Sequence, residues 1–163
     1  MRRVVIESPY AGEVSANLRY LRAAMRDCLQ RGEAPFASHG LYTQHGVLDD
    51  HVPAERELGI AAGFVWRDVA EATVVYTDRG TSAGMTCGIA DAIKKGRPIE
   101  YRTLPTWIMA ALQLADRYEQ ESIARGACPT GGRHGEYEVC KACDYGFPRS
   151  QDDWNGKEPE PAR

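Results

Sequence analysis

Residues 72–102, ATVVYTDRGTSAGMTCGIADAIKKGRPIEYR, leave this chain few folds to choose from. Thr73-Val74-Val75-Tyr76 is β-branched and aromatic and carries no charge, as suits a strand covered on both faces. The turn-forming run Asp78-Arg79-Gly80-Thr81-Ser82-Ala83-Gly84 follows. Met85, Ile89, Ala92 and Ile93 then recur at i, i+4, i+7 and i+8, the stripe of a helix lying on a sheet. Gly96 stops that helix, Pro98 enforces the stop, and Ile99-Glu100-Tyr101 opens another strand. Strand, glycine-rich turn, helix and strand make a βαβ unit, which commits the chain to parallel pairing. Ligands of open α/β sheets bind just outside the carboxyl ends of the strands, so the turn after Tyr76 is the expected site. Its small residues and the amides of the following helix N-terminus suit an anion such as phosphate.

The same alternation runs through the rest of the first 126 residues. Residues 3–8 read as the first strand, left by the loop Ser8-Pro9-Tyr10-Ala11-Gly12. Val14, Leu18, Leu21, Met25 and Leu29 mark a helix that Gly32 stops. Residues 34–38 are a short strand weakened by Pro35, and 39–51 form a long loop holding His39, His45 and His51. Pro53 opens a second helix with Leu58, Ala61, Ala62, Val65 and Val69 at helical spacing. After the 72–102 unit, Pro105 opens a long helix that ends near residue 125. The expectation is a doubly wound, mainly parallel α/β sheet of four strands, or five if one is hidden, with helices on both faces.

Charge and cysteine usage narrow the function. The net charge of −3 offers no extended nucleic-acid surface and no membrane-binding patch. No apolar run approaches the ~18 residues of a membrane span, and the chain opens on Val4-Val5-Ile6, which suits a strand and not a signal peptide. A soluble cytoplasmic protein is expected, with self-association left open. The five cysteines argue against a secreted disulfide framework. Cys128, His134, Cys140 and Cys143 fall within the Gly-rich segment 127–150, spaced C-x5-H-x5-C-x2-C. Such a set can supply four ligands to a structural zinc; free thiols on a loose tail are the alternative. Residues 151–163 are polar and proline-containing, the composition of a disordered tail.

The alternation, the Ser8-Pro9-Tyr10-Ala11-Gly12 loop and the Ser82-Ala83-Gly84 turn together resemble the nucleoside 2-deoxyribosyltransferase-like superfamily, over residues 3–103. That resemblance implies a nucleotide or nucleoside ligand in the strand-end pocket and no cofactor for the α/β domain. It also implies cleavage or transfer of an N-glycosidic bond by a glutamate in a Glu-x-Gly-x-Ala helix start, with an aspartate positioning the sugar. Here Thr86-Cys87-Gly88-Ile89-Ala90 stands at that place, so Thr86 occupies the glutamate position, or Gly88 when the turn is aligned on Ser82. Neither is a carboxylate, and a threonine without a base is a poor nucleophile. Glu7, a charge on an otherwise apolar strand, is the first candidate for a displaced acid, ahead of Glu57 and Asp68. The resemblance further implies Asp78 as the second catalytic carboxylate, on the sugar hydroxyls, and a base against Tyr10. Gly12, Gly80, Ser82, Gly84 and Met85 complete the expected ligand-binding set.

Three functions stay open at this level. One is an enzyme acting on an N-glycosidic bond; another is a protein that binds such a ligand without turning it over; the third takes the cysteine cluster as a zinc knuckle for protein contacts and the α/β body as its scaffold. The turn lacks both G-x-G-x-x-G and the Walker A lysine, which removes the dinucleotide-binding and P-loop alternatives.

Overall fold

The computed structural model describes residues 1–124. It divides into a unit spanning Met1–Leu104 and a second that begins at Pro105. The first unit is built as β1 (Arg2–Glu7), α1 (Val14–Gln30), β2 (Glu33–Phe36), α2 (Ser38–Leu41), α3 (Pro53–Asp68), β3 (Ala72–Tyr76), α4 (Ala83–Lys94) and β4 (Ile99–Arg102). Its four strands form one sheet in the order β2-β1-β3-β4, and every pairing is parallel. The α/β expectation therefore holds with four strands. The described part of the second unit holds α5 (Thr106–Ala124).

Strand order decides where a ligand can sit. The chain leaves β1 toward β2 on one side and leaves β3 toward β4 on the other. Between β1 and β3 the connections diverge, which opens a crevice at their carboxyl ends. There Glu7, the last residue of β1, lies opposite Val75. Val4, Val5, Ile6, Val74, Val75 and Tyr76 are all buried, so the two central strands carry the core beneath that crevice.

Helix faces depart from the hydropathy pattern in instructive ways. In α1 only Leu21 of the expected stripe is fully buried, and Leu29 is exposed. The buried face is instead Ala16, Tyr20, Ala23, Ala24 and Cys28, with Asp27 among them. Small side chains let the helix lie close, and the polar members have partners: Tyr76 Oη donates to Asp27 at 2.6 Å. Region 39–51 is not all loop, since α2 occupies its start and carries His39. Helix α3 turns Gly63 inward, where an added Cβ would lie 2.9 Å from Ser38 Cβ. The expected stripe of α3 consequently points outward, with Leu58 60% and Val65 69% exposed. In α4, Met85 and Ala92 are buried, whereas Ile93 is exposed.

Buried charges tie the layers together. The Arg97 guanidinium donates to Thr73 Oγ1 and to the Arg67 carbonyl, each at 2.8 Å, and pairs with Asp91 at 2.7 Å. It thereby joins β3, α3 and α4. Arg102 on β4 forms a two-pronged pair with Glu33 on β2, at 2.7 and 2.8 Å. That contact holds the Glu33 carboxyl below its usual range. Among the described residues no three His, Cys, Asp or Glu side chains converge on a metal position. No described helix is long and apolar enough to cross a membrane. The expected zinc set of Cys128, His134, Cys140 and Cys143 and the 151–163 tail lie outside the described residues.

Candidate functional site

Two loops shape the crevice. After β1 the chain turns at Gly12, whose φ of +90° suits glycine. Asn17 on α1 reaches back and donates to the carbonyls of Tyr10 and Ala11 at 2.9 and 3.0 Å, fixing the loop. After β3 the Gly80 amide closes a turn onto the Thr77 carbonyl at 2.9 Å, with Gly80 at φ +79°. Ser82 then caps α4. Its hydroxyl accepts from the Met85 amide, and its own amide donates to Met85 Sδ, both at 3.3 Å. The cap thus consumes two of the amides that the sequence assigns to an anion.

A cavity of about 550 Å³ opens between these loops, within the roughly 300–1,000 Å³ of small-molecule sites. Glu7, Ser8 and Tyr10 form its β1 side and Ser82, Gly84 and Met85 its α4 side. His39 from α2 and Arg67 from α3 close it further. A more open space of about 800 Å³ adjoins it, sharing Tyr10, Thr43 and Asp50 and adding Gly12 and His45.

Glu7 is the chemical centre. Its side chain is 5% exposed and its Oε1 accepts from Arg67 Nη2 at 2.7 Å. Burial raises its pKa to about 7, outweighing the nearby positive charges of Arg67 and Arg97. The Arg67 guanidinium in turn lies 4.7 Å from the centre of the Phe64 ring. Space for the carboxylate comes from Gly88, where an added Cβ would lie 2.7 Å from Glu7 Oε2 and closer still to Oε1 and Cδ. A carboxylate carried by β1 therefore occupies the spot that a side chain at position 88 would enter.

A second polar pair faces the same space. Ser8 Oγ lies 2.8 Å from His39 Nε2, and the Tyr10 ring meets the imidazole edge-on, with centroids 6.4 Å apart. Burial, then the Arg67 charge, lower the His39 pKa to about 4, so the ring is neutral at physiological pH.

The expected residues divide accordingly. Glu7, Tyr10, Ser82, Gly84 and Met85 come together in the cavity, and Gly12 borders only its outer extension. Asp78 and Gly80 line neither space. Asp78 instead accepts from Tyr20 Oη at 2.7 Å and from the Leu104 amide at 3.0 Å, so its carboxylate secures the base of the loop. Gly80 serves the turn. Of the alternative acids, Glu57 is exposed and Asp68 pairs with Lys95, while neither lines the cavity. Sequence reasoning missed Arg67 and the roles of His39 and Ser8. The demand for a cation beside Glu7 was visible in the apolar first strand; which helix would supply it was not.

A family sequence model described as "Domain of unknown function (DUF7768)" matches residues 2–102. No curated protein and no solved structure matches the chain.

Proposed function

The chain belongs to the DUF7768 family, and we propose that its strand-end cavity binds a nucleoside or nucleotide derivative and cleaves or transfers the N-glycosidic bond, with Glu7 as the acid. The observation that carries this reading is the buried Glu7 carboxyl against Gly88, facing a cavity of ligand size. A carboxyl with a pKa near neutrality can hold a proton at working pH and give it to a leaving nucleobase. Tyr10, Tyr42 and Phe64 give the cavity the aromatic surface a base packs against. The resemblance to the nucleoside 2-deoxyribosyltransferase-like superfamily supports the same ligand class.

A second reading, binding without turnover, has its own support in the 2.7 Å pair of Glu7 with Arg67, since a carboxylate so held also serves as an anchor. A thermal-shift screen over nucleosides and nucleotides, followed by analysis of released base, separates the two. Base release that is lost in Glu7→Gln supports the enzyme. Stabilisation without any released base selects the binder, and no stabilisation by any member of the class refutes both.

A further inference from the structure

Glu7 supplies one half of an acid–base reaction, and the cavity wall contains a second proton-transfer pair beside it. Ser8 follows Glu7 directly and is 4% exposed. Its hydroxyl oxygen meets His39 Nε2 at 2.8 Å, the distance at which a base takes a proton from a hydroxyl. The Tyr10 ring packs edge-on to the imidazole, and Thr43 Oγ1 donates to the His39 backbone carbonyl at 2.6 Å, fixing the end of α2.

We propose that Ser8 and His39 are the proton-accepting arm of the site, and Glu7 its proton-donating arm. This rests on the glycosidic reading above and assigns the half-reaction that Glu7 leaves open. As a water oxygen bonds to the anomeric carbon, its proton passes to Ser8 Oγ while the Ser8 proton passes to His39 Nε2. The carbon–nitrogen bond breaks with its electron pair on the base nitrogen, which takes the Glu7 proton. The products are free sugar and free base; one proton has moved from Glu7 to His39 and returns through solvent. The acceptor hydroxyl of a second molecule can replace water, giving transfer by the same steps.

Electrostatics set the protonation states. Arg67 faces His39, and with burial it keeps the ring neutral above about pH 4, unprotonated but a weaker base than a free imidazole. Glu7 is faced by Arg67, Arg97 and Asp91, and stays protonated up to about pH 7. The site therefore holds a protonated acid and an empty base together between those values. His45 and His51 border only the outer space.

The test uses the full chain and measures base release from nucleosides and nucleoside monophosphates against pH, for wild type, Ser8→Ala and His39→Gln. Ligand binding is followed in parallel by thermal shift with the same compounds. The relay predicts a loss in kcat of roughly 10²-fold or more in both variants, with stabilisation by ligand retained. It also predicts that His39→Gln loses the acidic limb of the profile near pH 4 and keeps the basic limb near pH 7. Added imidazole should restore part of the turnover of His39→Gly, which a purely structural histidine would not allow. Turnover that needs Glu7 but survives His39→Gln with both limbs intact overturns the relay alone. A wild-type protein that binds these compounds and releases no base overturns the relay and the enzymatic reading together.

Discussion

Gly88→Ala asks whether the space beneath α4 belongs to Glu7. Gly88 lies in the helix interior, where alanine is worth about 1 kcal/mol in favour of the helix. Against that gain stands the overlap of the new Cβ with the Glu7 carboxylate, 2.7 Å from its more distant oxygen. The carboxylate is the flexible end of a side chain, so it can move, but only by leaving Arg67. At pH 8, where Glu7 is ionised, both partners are enclosed, 5% and 11% exposed, and breaking such a pair costs about 3–5 kcal/mol. The net expectation is a destabilisation of about 2–4 kcal/mol at that pH, read from urea unfolding. A double-mutant cycle isolates the cause. In a Glu7→Ala background the obstacle is gone, and Gly88→Ala should stabilise the protein by about 1 kcal/mol. A neutral or stabilising Gly88→Ala in the wild-type background would falsify the packing described, as would equal effects in both backgrounds.

Three further outcomes are expected. Glu7, raised to about 7 from 4.5, contributes stability that is full below pH 4.5 and lost as pH rises through 7; His39, lowered to about 4 from 6.5, contributes stability present above 6.5 and lost as pH falls to 4. The two oppose each other at about 3 kcal/mol apiece, so unfolding free energy attributable to them is nearly flat between pH 4.5 and 6.5, and Glu7→Gln should make it rise across that window. Tyr76→Phe removes the buried 2.6 Å bond to Asp27 and should cost about 1–3 kcal/mol in the same urea assay, with an unchanged midpoint counting against that bond. Zinc held by Cys128, His134, Cys140 and Cys143 would appear as one metal per chain by elemental analysis and fall away in Cys140→Ser; a metal-free wild type excludes the set.

The path from sequence to fold was short where local chemistry and periodicity agreed. Gly96 ends α4 at φ +64° and Pro98 precedes β4, so the 72–102 unit could be drawn residue by residue. Helix faces were harder. Tyr20 and Asp27 count as polar in any pattern, yet Asp78 and Tyr76 satisfy them inside the structure, and those partners lie 58 and 49 residues away. Gly63 draws α3 in by its smallest residue, which no hydrophobic stripe announces. In the site, Glu7 could be singled out because a charge amid Val and Ile needs a reason. Asp78 sits at the right strand end, but its backbone and tyrosine partners turn it away from the cavity. Arg67 and His39 reach that cavity from α3 and α2, across a segment where no spacing rule fixes how the helices meet the sheet.

Pro35 carries a consequence beyond the weakness it lends to β2. It stands opposite Val4 in the outermost strand, and its ring leaves the backbone without a donor at that place. A strand from another molecule that tried to extend the sheet along β2 would meet an interrupted ladder within a four-residue edge. The β2 flank of the sheet is in this way a poor template for aggregation, and Pro35→Val, which restores the missing amide, would trade that protection for a more continuous strand.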